Sequence, residues 1–210
     1  MARGRRGRPR IGEEQTRRDE ALDAAVEELA EHGYDATTML GVARRAGASK
    51  ETLYTWFGSK EGLFAAVIRR EAATTNENVA RLLDGDHEPE EALVLLATNL
   101  LKLLTGPRSI AINRAAMSAP QLASVLLEHG RHRTGPLVER YLQRLGERGV
   151  LDVPAPAEAF QAFYGLVIQD LQIRTLLGEK PPPPKAQQRI AAAAVQRFLL
   201  IWARRDGCRS

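Results

Sequence analysis

The chain has 210 residues, 30 lysines and arginines against 26 acids, and one cysteine, Cys208. That length supports a sizeable core in one or two domains; a lone cysteine excludes an intrachain disulfide and fits a reducing cytoplasm; no apolar run reaches the ~20 residues of a membrane span, and no signal-type stretch opens the sequence. The net charge of +4 is modest, so its placement matters more than its size.

Residues 1–15 are expected as a basic, disordered arm. Residues 1–12 carry Arg3, Arg5, Arg6, Arg8 and Arg10 and no acid. Their glycines and Pro9 oppose a helix. The run Arg6-Gly7-Arg8-Pro9 resembles the core of an AT-hook, and a narrow minor groove concentrates the negative potential that attracts arginine. Phosphate contact without sequence preference is the plainer reading of the same charges.

From Thr16 to His32 the apolar residues Ala21, Leu22, Ala25, Val26, Leu29 and Ala30 recur at helical spacing, and Gly33 is the expected stop. Thr37 or Thr38 suits the N-cap of a short helix that turns Val42, Ala43 and Ala46 inward. Gly47 suits a tight turn, and Ser49 is a natural N-cap for the next helix. There Leu53 and Phe57, four apart, anchor one face. Lys50, Glu51, Thr52, Tyr54, Thr55 and Trp56 are left mostly for the others. Gly58 ends that helix, and Ser59-Lys60-Glu61 opens another with a cap and a first-turn acid. Two short helices about a tight turn form the pattern of a helix-turn-helix, whose second helix enters the DNA major groove. An ordinary helical hairpin is the bland alternative.

The segments Gly33-Tyr34-Asp35-Ala36-Thr37-Thr38, Ala43-Arg44-Arg45-Ala46-Gly47-Ala48-Ser49-Lys50 and Leu53-Tyr54-Thr55-Trp56-Phe57-Gly58-Ser59-Lys60-Glu61-Gly62-Leu63 resemble, in order, the link, turn and recognition helix of the TetR family of bacterial regulators. The resemblance implies an all-α protein. Residues 16–63 would form a three-helix DNA-binding domain, joined by a long fourth helix to a ligand-binding and dimerisation domain over 64–210. It also implies DNA contact by Thr37, Thr38, Lys50, Glu51, Thr52, Tyr54, Thr55, Trp56 and Lys60, with Arg6, Arg8 and Arg10 added from the arm. Tyr54 and Lys60 would hold phosphates, while Lys50, Glu51 and Thr52 face base edges. The chain departs from the family's pattern at three positions. Gly41 cannot complete a capping box with Thr38, Ala48 replaces a common valine, and Glu51 stands where a small or neutral residue is usual. A carboxylate there either accepts from cytosine N4 or is simply repelled by phosphate.

The remaining chain reads as helices: Ser59 to about Leu83, Pro89 to Leu104, Pro107 to Met117, and Pro120 to Arg148 with a kink or break at Gly135-Pro136. A loop over Gly149–Pro156 leads to an aromatic-rich helix from Ala157 to Leu177. A stiff Pro181–Pro184 link precedes the last helix, Lys185 to Arg204. The portion Ile110 to Gly178 resembles the C-terminal domain of AefR-like repressors. The family dimerises through its last two helices. Phe160, Phe163, Val167 and Leu171, with Ile190, Ala194, Phe198 and Ile201, are the expected interface of a four-helix bundle; burial in the protomer core is the competing assignment. Asn99, Asn113, Met117, Gln161, Tyr164 and Gln169 are the polar or soft candidates for a ligand cavity, whose expected occupant is largely apolar and mostly uncharged. His129 and His132, three apart, fall short of a metal site without a further ligand. No cofactor is implied. No nucleophile–base set or phosphate-cradling loop is visible, so no enzyme is expected. The sequence reads as a homodimeric repressor of a palindromic operator, released by a small ligand. An architectural nucleoid protein, an activator, and a repressor without a ligand are the alternatives.

Overall fold

The computed structural model describes residues 11–203. Arg6, Arg8, Arg10 and Cys208 lie outside them. Among the described residues the chain is helical, with one isolated antiparallel bridge, Leu151 to Ala203. The helices are α1 (Ile11–Ala36), α2 (Met39–Arg45), α3 (Lys50–Phe57), α4 (Lys60–Leu83), α5 (Pro89–Thr105) and α6 (Pro107–Ser118). They continue as α7 (Pro120–Leu126), α8 (His132–Glu147), α9 (Pro156–Ile168), α10 (Leu171–Leu176) and α11 (Pro184–Trp202). Helix α1 begins before the expected Thr16, and Gly33 breaks its last turn at φ 74°. Proline opens α5, α6, α7, α9 and α11 within the first turn, where its missing N–H has no helical acceptor to lose.

Two cores form. The first joins Leu22, Val26 and Leu29 of α1 to Val42, Leu53, Leu63 and Phe64, and is completed by Ile112, Ala115 and Ala116 of α6 and Leu122 of α7. The second packs Leu93, Ala97 and Leu101 of α5 against Leu142 and Leu145 of α8, Phe163 and Val167 of α9, and Ala191, Ala194 and Phe198 of α11. Phe163 and Phe198 meet edge to face at 5.4 Å, the geometry aromatic quadrupoles favour.

The first core therefore borrows two helices from far along the chain, and an ion cluster fastens that junction. Arg108 of α6 donates to Asp23 of α1 (2.8 Å) and Glu71 of α4 (2.9 Å), and Arg70 also reaches Asp23 (2.8 Å). The Arg108 hydrogen bond, helped by Arg70, holds the Asp23 carboxyl below its usual range.

Three expectations are corrected. The break placed at Gly135-Pro136 lies earlier, in a π-helical turn over Leu127–Arg131, while Pro136 stays inside α8. Proline lacks an N–H and crowds the carbonyl four residues back, so the ladder shifts register in the turn before it. The single helix expected over Ala157–Leu177 is two, divided at Gln169, whose φ of 49° no α-helix accommodates. Of the expected interface residues, Phe160, Phe163, Val167, Ala194 and Phe198 are buried in the protomer's own core. Leu171 and Ile190 are half-buried, and only Ile201 is exposed. The outward faces instead carry Gln161, Gly165 and Gln169 on α9 and Ala192, Ala193, Gln196 and Leu200 on α11.

Candidate DNA-binding interface and cavity

Each end of the helix-turn-helix is set by a local hydrogen bond. The Thr38 hydroxyl accepts from Gly41 N (3.0 Å), Ser49 from Thr52 N (3.0 Å) and Ser59 from Gly62 N (3.0 Å). Such caps are each worth about 1 kcal/mol. Gly47 at φ 62° makes the turn and Gly58 at φ 74° ends α3, both in the left-handed region that L side chains avoid. Leu53 is fully buried and fixes the rotation of α3. That rotation leaves Lys50, Glu51, Tyr54 and Thr55 exposed and Thr52 and Trp56 half-buried. The expected recognition residues therefore share one helix with a solvent-facing surface.

Within that surface Lys50 Nζ lies 5.6 Å from the centre of the Tyr54 ring. Thr55 donates to the Glu51 carbonyl (2.9 Å), and the Thr52 and Ser49 hydroxyls are 2.9 Å apart. Lys60 is half-buried. Its Nζ lies 4.3 Å from the Tyr34 ring centre and donates to Asp35 O (3.3 Å). Thr38 is exposed at the start of α2. Thr37 is corrected: its side chain is 1% exposed and its hydroxyl donates to Gly33 O at 2.7 Å. It locks the α1–α2 link and offers nothing to DNA.

The glycine at position 41 sits close against Glu28. A Cβ there would come 2.9 Å from Glu28 Oε2. Glu28, 8% exposed, pairs with Arg45 at 2.9 Å, and Arg45 also reaches Glu31 at 2.6 Å. These carboxylates raise the Arg45 pKa and clamp the end of α2 onto α1. A side chain at 41 would require the Oε2 oxygen of the Glu28 carboxylate to give way slightly.

Behind the first core a cavity of about 710 Å³ opens between α4, α5, α6, α8 and α9. That volume lies within the ~300–1,000 Å³ range of pockets that enclose small ligands. Asn99, Asn113 and Tyr164 line it. Met117, Gln161 and Gln169 do not: all three are solvent-exposed, the two glutamines on the outward face of α9 and its end. The wall includes residues missed in the sequence, Glu71, Asn78, Arg131 and Thr134 among them. One signal was available: Ile68, Ala72, Thr75, Val79 and Leu82 recur at spacings of three and four along α4, a stripe too long for the first core alone. Burial raises the pKa of the Tyr164 phenol despite the nearby Arg131, so it remains a hydroxyl donor at neutral pH. His129 and His132 face a separate outer groove with Arg69, Glu77 and Arg133. Among the described residues no group of three or more metal-type ligands forms, and no helix is long and apolar enough to cross a membrane.

Residues 21–67 match the model of bacterial regulatory proteins of the tetR family, and residues 91–204 match the C-terminal domain of AefR-like transcriptional repressors. The chain is 35% identical over 148 residues to YdeS, an HTH-type transcriptional regulator of Bacillus subtilis, covering 70% of this chain and 69% of that protein. It is 45% identical over 65 residues to the HTH-type transcriptional repressor ComR of Escherichia coli, covering 31% of this chain and 29% of ComR. The chain thus matches less than a third of ComR's length. A crystal structure of a TetR transcriptional regulator from Agrobacterium tumefaciens superposes with a TM-score of 0.71 at 33% identity, over 89% of this chain and 94% of that one. With capped recognition helix, long α4 and helical second domain all in place, the chain belongs to the TetR family of DNA-binding transcriptional regulators.

Proposed function

We propose that the protein is a homodimeric repressor that holds a palindromic operator and releases it when a small, largely apolar ligand enters the cavity. The observation that carries this reading is the course of α4. Its first turn, at Lys60, adjoins the recognition helix, and the stretch from Ile68 to Leu82 walls the cavity. A change at one end of such a rigid element is felt at the other. A ligand shifts the balance only if it binds one dimer arrangement better than the other. Thr38, Lys50, Glu51, Thr52, Tyr54, Thr55, Trp56 and Lys60 make the DNA contact in this reading, with Arg6, Arg8 and Arg10 adding minor-groove or phosphate contacts. The outward faces of α9 and α11 support the dimer. Exposed Gly165, Ala192 and Ala193 allow close helix approach, and Leu200 and Ile201 are 80% and 62% exposed. Two recognition helices would then sit roughly 34–36 Å apart, one turn of DNA.

The test is a two-step binding experiment. An operator is selected from random DNA with the full chain, and its complex is then titrated with a panel of apolar compounds while fluorescence anisotropy reports release. The reading expects a palindromic operator and at least one compound that lowers affinity about tenfold or more, a coupling of ordinary size. Tight operator binding that no cavity-bound compound alters would leave a repressor without a ligand. Equal affinity for all DNA would favour the architectural role.

A further inference from the structure

The cavity wall carries two charged side chains whose situations differ. Glu71 is already answered: its carboxylate accepts from Arg108 at 2.9 Å and Arg70 at 3.3 Å. Arg131 has no such partner among the described residues. The acid nearest to it along the chain, Glu128, lies instead beside His129, 3.9 Å away. The Arg131 guanidinium rests over two aromatic rings, 4.5 Å from the centre of Tyr164 and 5.5 Å from that of Phe160. It closes the π-helical turn, whose Leu127 and Gly130 also face the cavity. Turns of this type recur at functional sites.

Position sharpens the contrast. Arg131 is solvent-exposed yet lines the cavity, so it stands at the rim. Leu96, Leu100, Val138 and Phe163 make the wall behind it apolar. The rings hold the guanidinium in place by cation–π attraction, and among the described residues no carboxylate pairs with its forked donors. An arginine so placed matches a carboxylate in geometry and charge. The Tyr164 hydroxyl beside it is a second donor.

We propose that the cavity binds an apolar molecule bearing one carboxylate, with the acid held by Arg131 at the rim and the hydrocarbon or aromatic body in the leucine-lined interior. This rests on the ligand-release reading above and replaces the mostly uncharged occupant expected from the sequence. A straight-chain acid and a fused-ring aromatic acid share this chemistry, and the assay separates them.

The test uses calorimetric titration of the full chain with dodecanoate, below its micelle concentration, and with 2-naphthoate, each beside its methyl ester. At least one acid should bind one per protomer, and at least about tenfold more tightly than its ester, as a charge-assisted hydrogen bond requires. The better of the two acids identifies the body. Arg131→Gln, at an exposed position, should reduce the acid to the level of its ester and leave the ester unchanged. Arg131→Lys should keep part of the preference. The proposal is overturned if neither acid binds, if acid and ester bind alike, or if the preference survives Arg131→Gln. Anisotropy on operator DNA separates this from the functional reading. Acid binding through Arg131 that leaves operator affinity unchanged would uphold the site and remove ligand release. Release by a compound indifferent to Arg131→Gln, with no acid bound, would uphold release and sink the site.

Discussion

The recognition segment and the cavity are built from instructions of different range. Between Thr38 and Ser59 the helix ends are set mainly by local devices: three hydroxyl caps, each acting three positions on, and two glycines at positive φ. Around the cavity the walls come from helices up to about a hundred residues apart, and the rim arginine meets its rings across the gap between Arg131 and Phe160. A short-range device can be read off a single stretch of sequence. A cavity depends on where separate helices are left unfilled by one another, which no stretch states.

Substitutions in the two regions should therefore fail in different ways. The largest effect is expected in the second core. Phe163→Ala removes a ring that is 1% exposed and packed on Phe198, and should cost about 3–5 kcal/mol of stability in a denaturant titration. Ile201→Ala, at an exposed site, should cost less than about 0.5 kcal/mol under conditions that keep the protein monomeric. Similar losses for both would contradict the division between core and outward face.

Next in size is Glu51→Ala. Glu51 is exposed on α3, and Lys50 beside it is turned to Tyr54 rather than to the carboxylate. If Glu51 accepts from cytosine N4, its loss should lower discrimination at one base pair of each half-site by about 1–3 kcal/mol while strengthening binding to random DNA. Binding-site selection with both proteins decides this. Identical preferred sequences would mean that Glu51 only tunes overall affinity.

A smaller effect separates local from distant instruction within the first domain. Ser49→Ala removes the α3 cap and should destabilise by about 1 kcal/mol. It should also raise hydrogen exchange in α3 selectively, leaving the α5–α11 contact protected. Uniform loss of protection would show that the two cores unfold as one. The smallest expected effect concerns Lys60, which in the free protein rests on Tyr34 and Asp35. Lys60→Ala should weaken specific and random DNA alike and reduce the slope of log affinity against log salt by about one unit. An unchanged slope would take Lys60 off the phosphates.

How much was legible follows the same line. Helix caps and Gly47 are legible because each rests on contacts within one turn, and the inner face of α3 because Leu53 and Phe57 stand four apart in the sequence. Thr37 was misread because two adjacent threonines offer equivalent caps, and only the Gly33 carbonyl in the folded link draws one of them inward. The setting of Gly41 waited on Glu28, thirteen positions away on another helix. Phe160, Phe163 and Phe198 looked like an interface because an apolar stripe has the same spacing whether its partner is in the same chain or a second copy. Asn99, Asn113 and Tyr164 reached the cavity. Gln161 and Gln169 did not, since the rotation of α9 is set by its packing on α8 and α11.

The central claim, that this exposed and capped helix reads particular DNA, is tested most directly by a genome-wide binding profile of the intact protein. The account predicts a small number of sites, each with two inverted half-sites whose centres lie about 10–10.5 base pairs, or a multiple of that, apart. Even coverage of the chromosome at similar occupancy, with no shared inverted sequence, would contradict it.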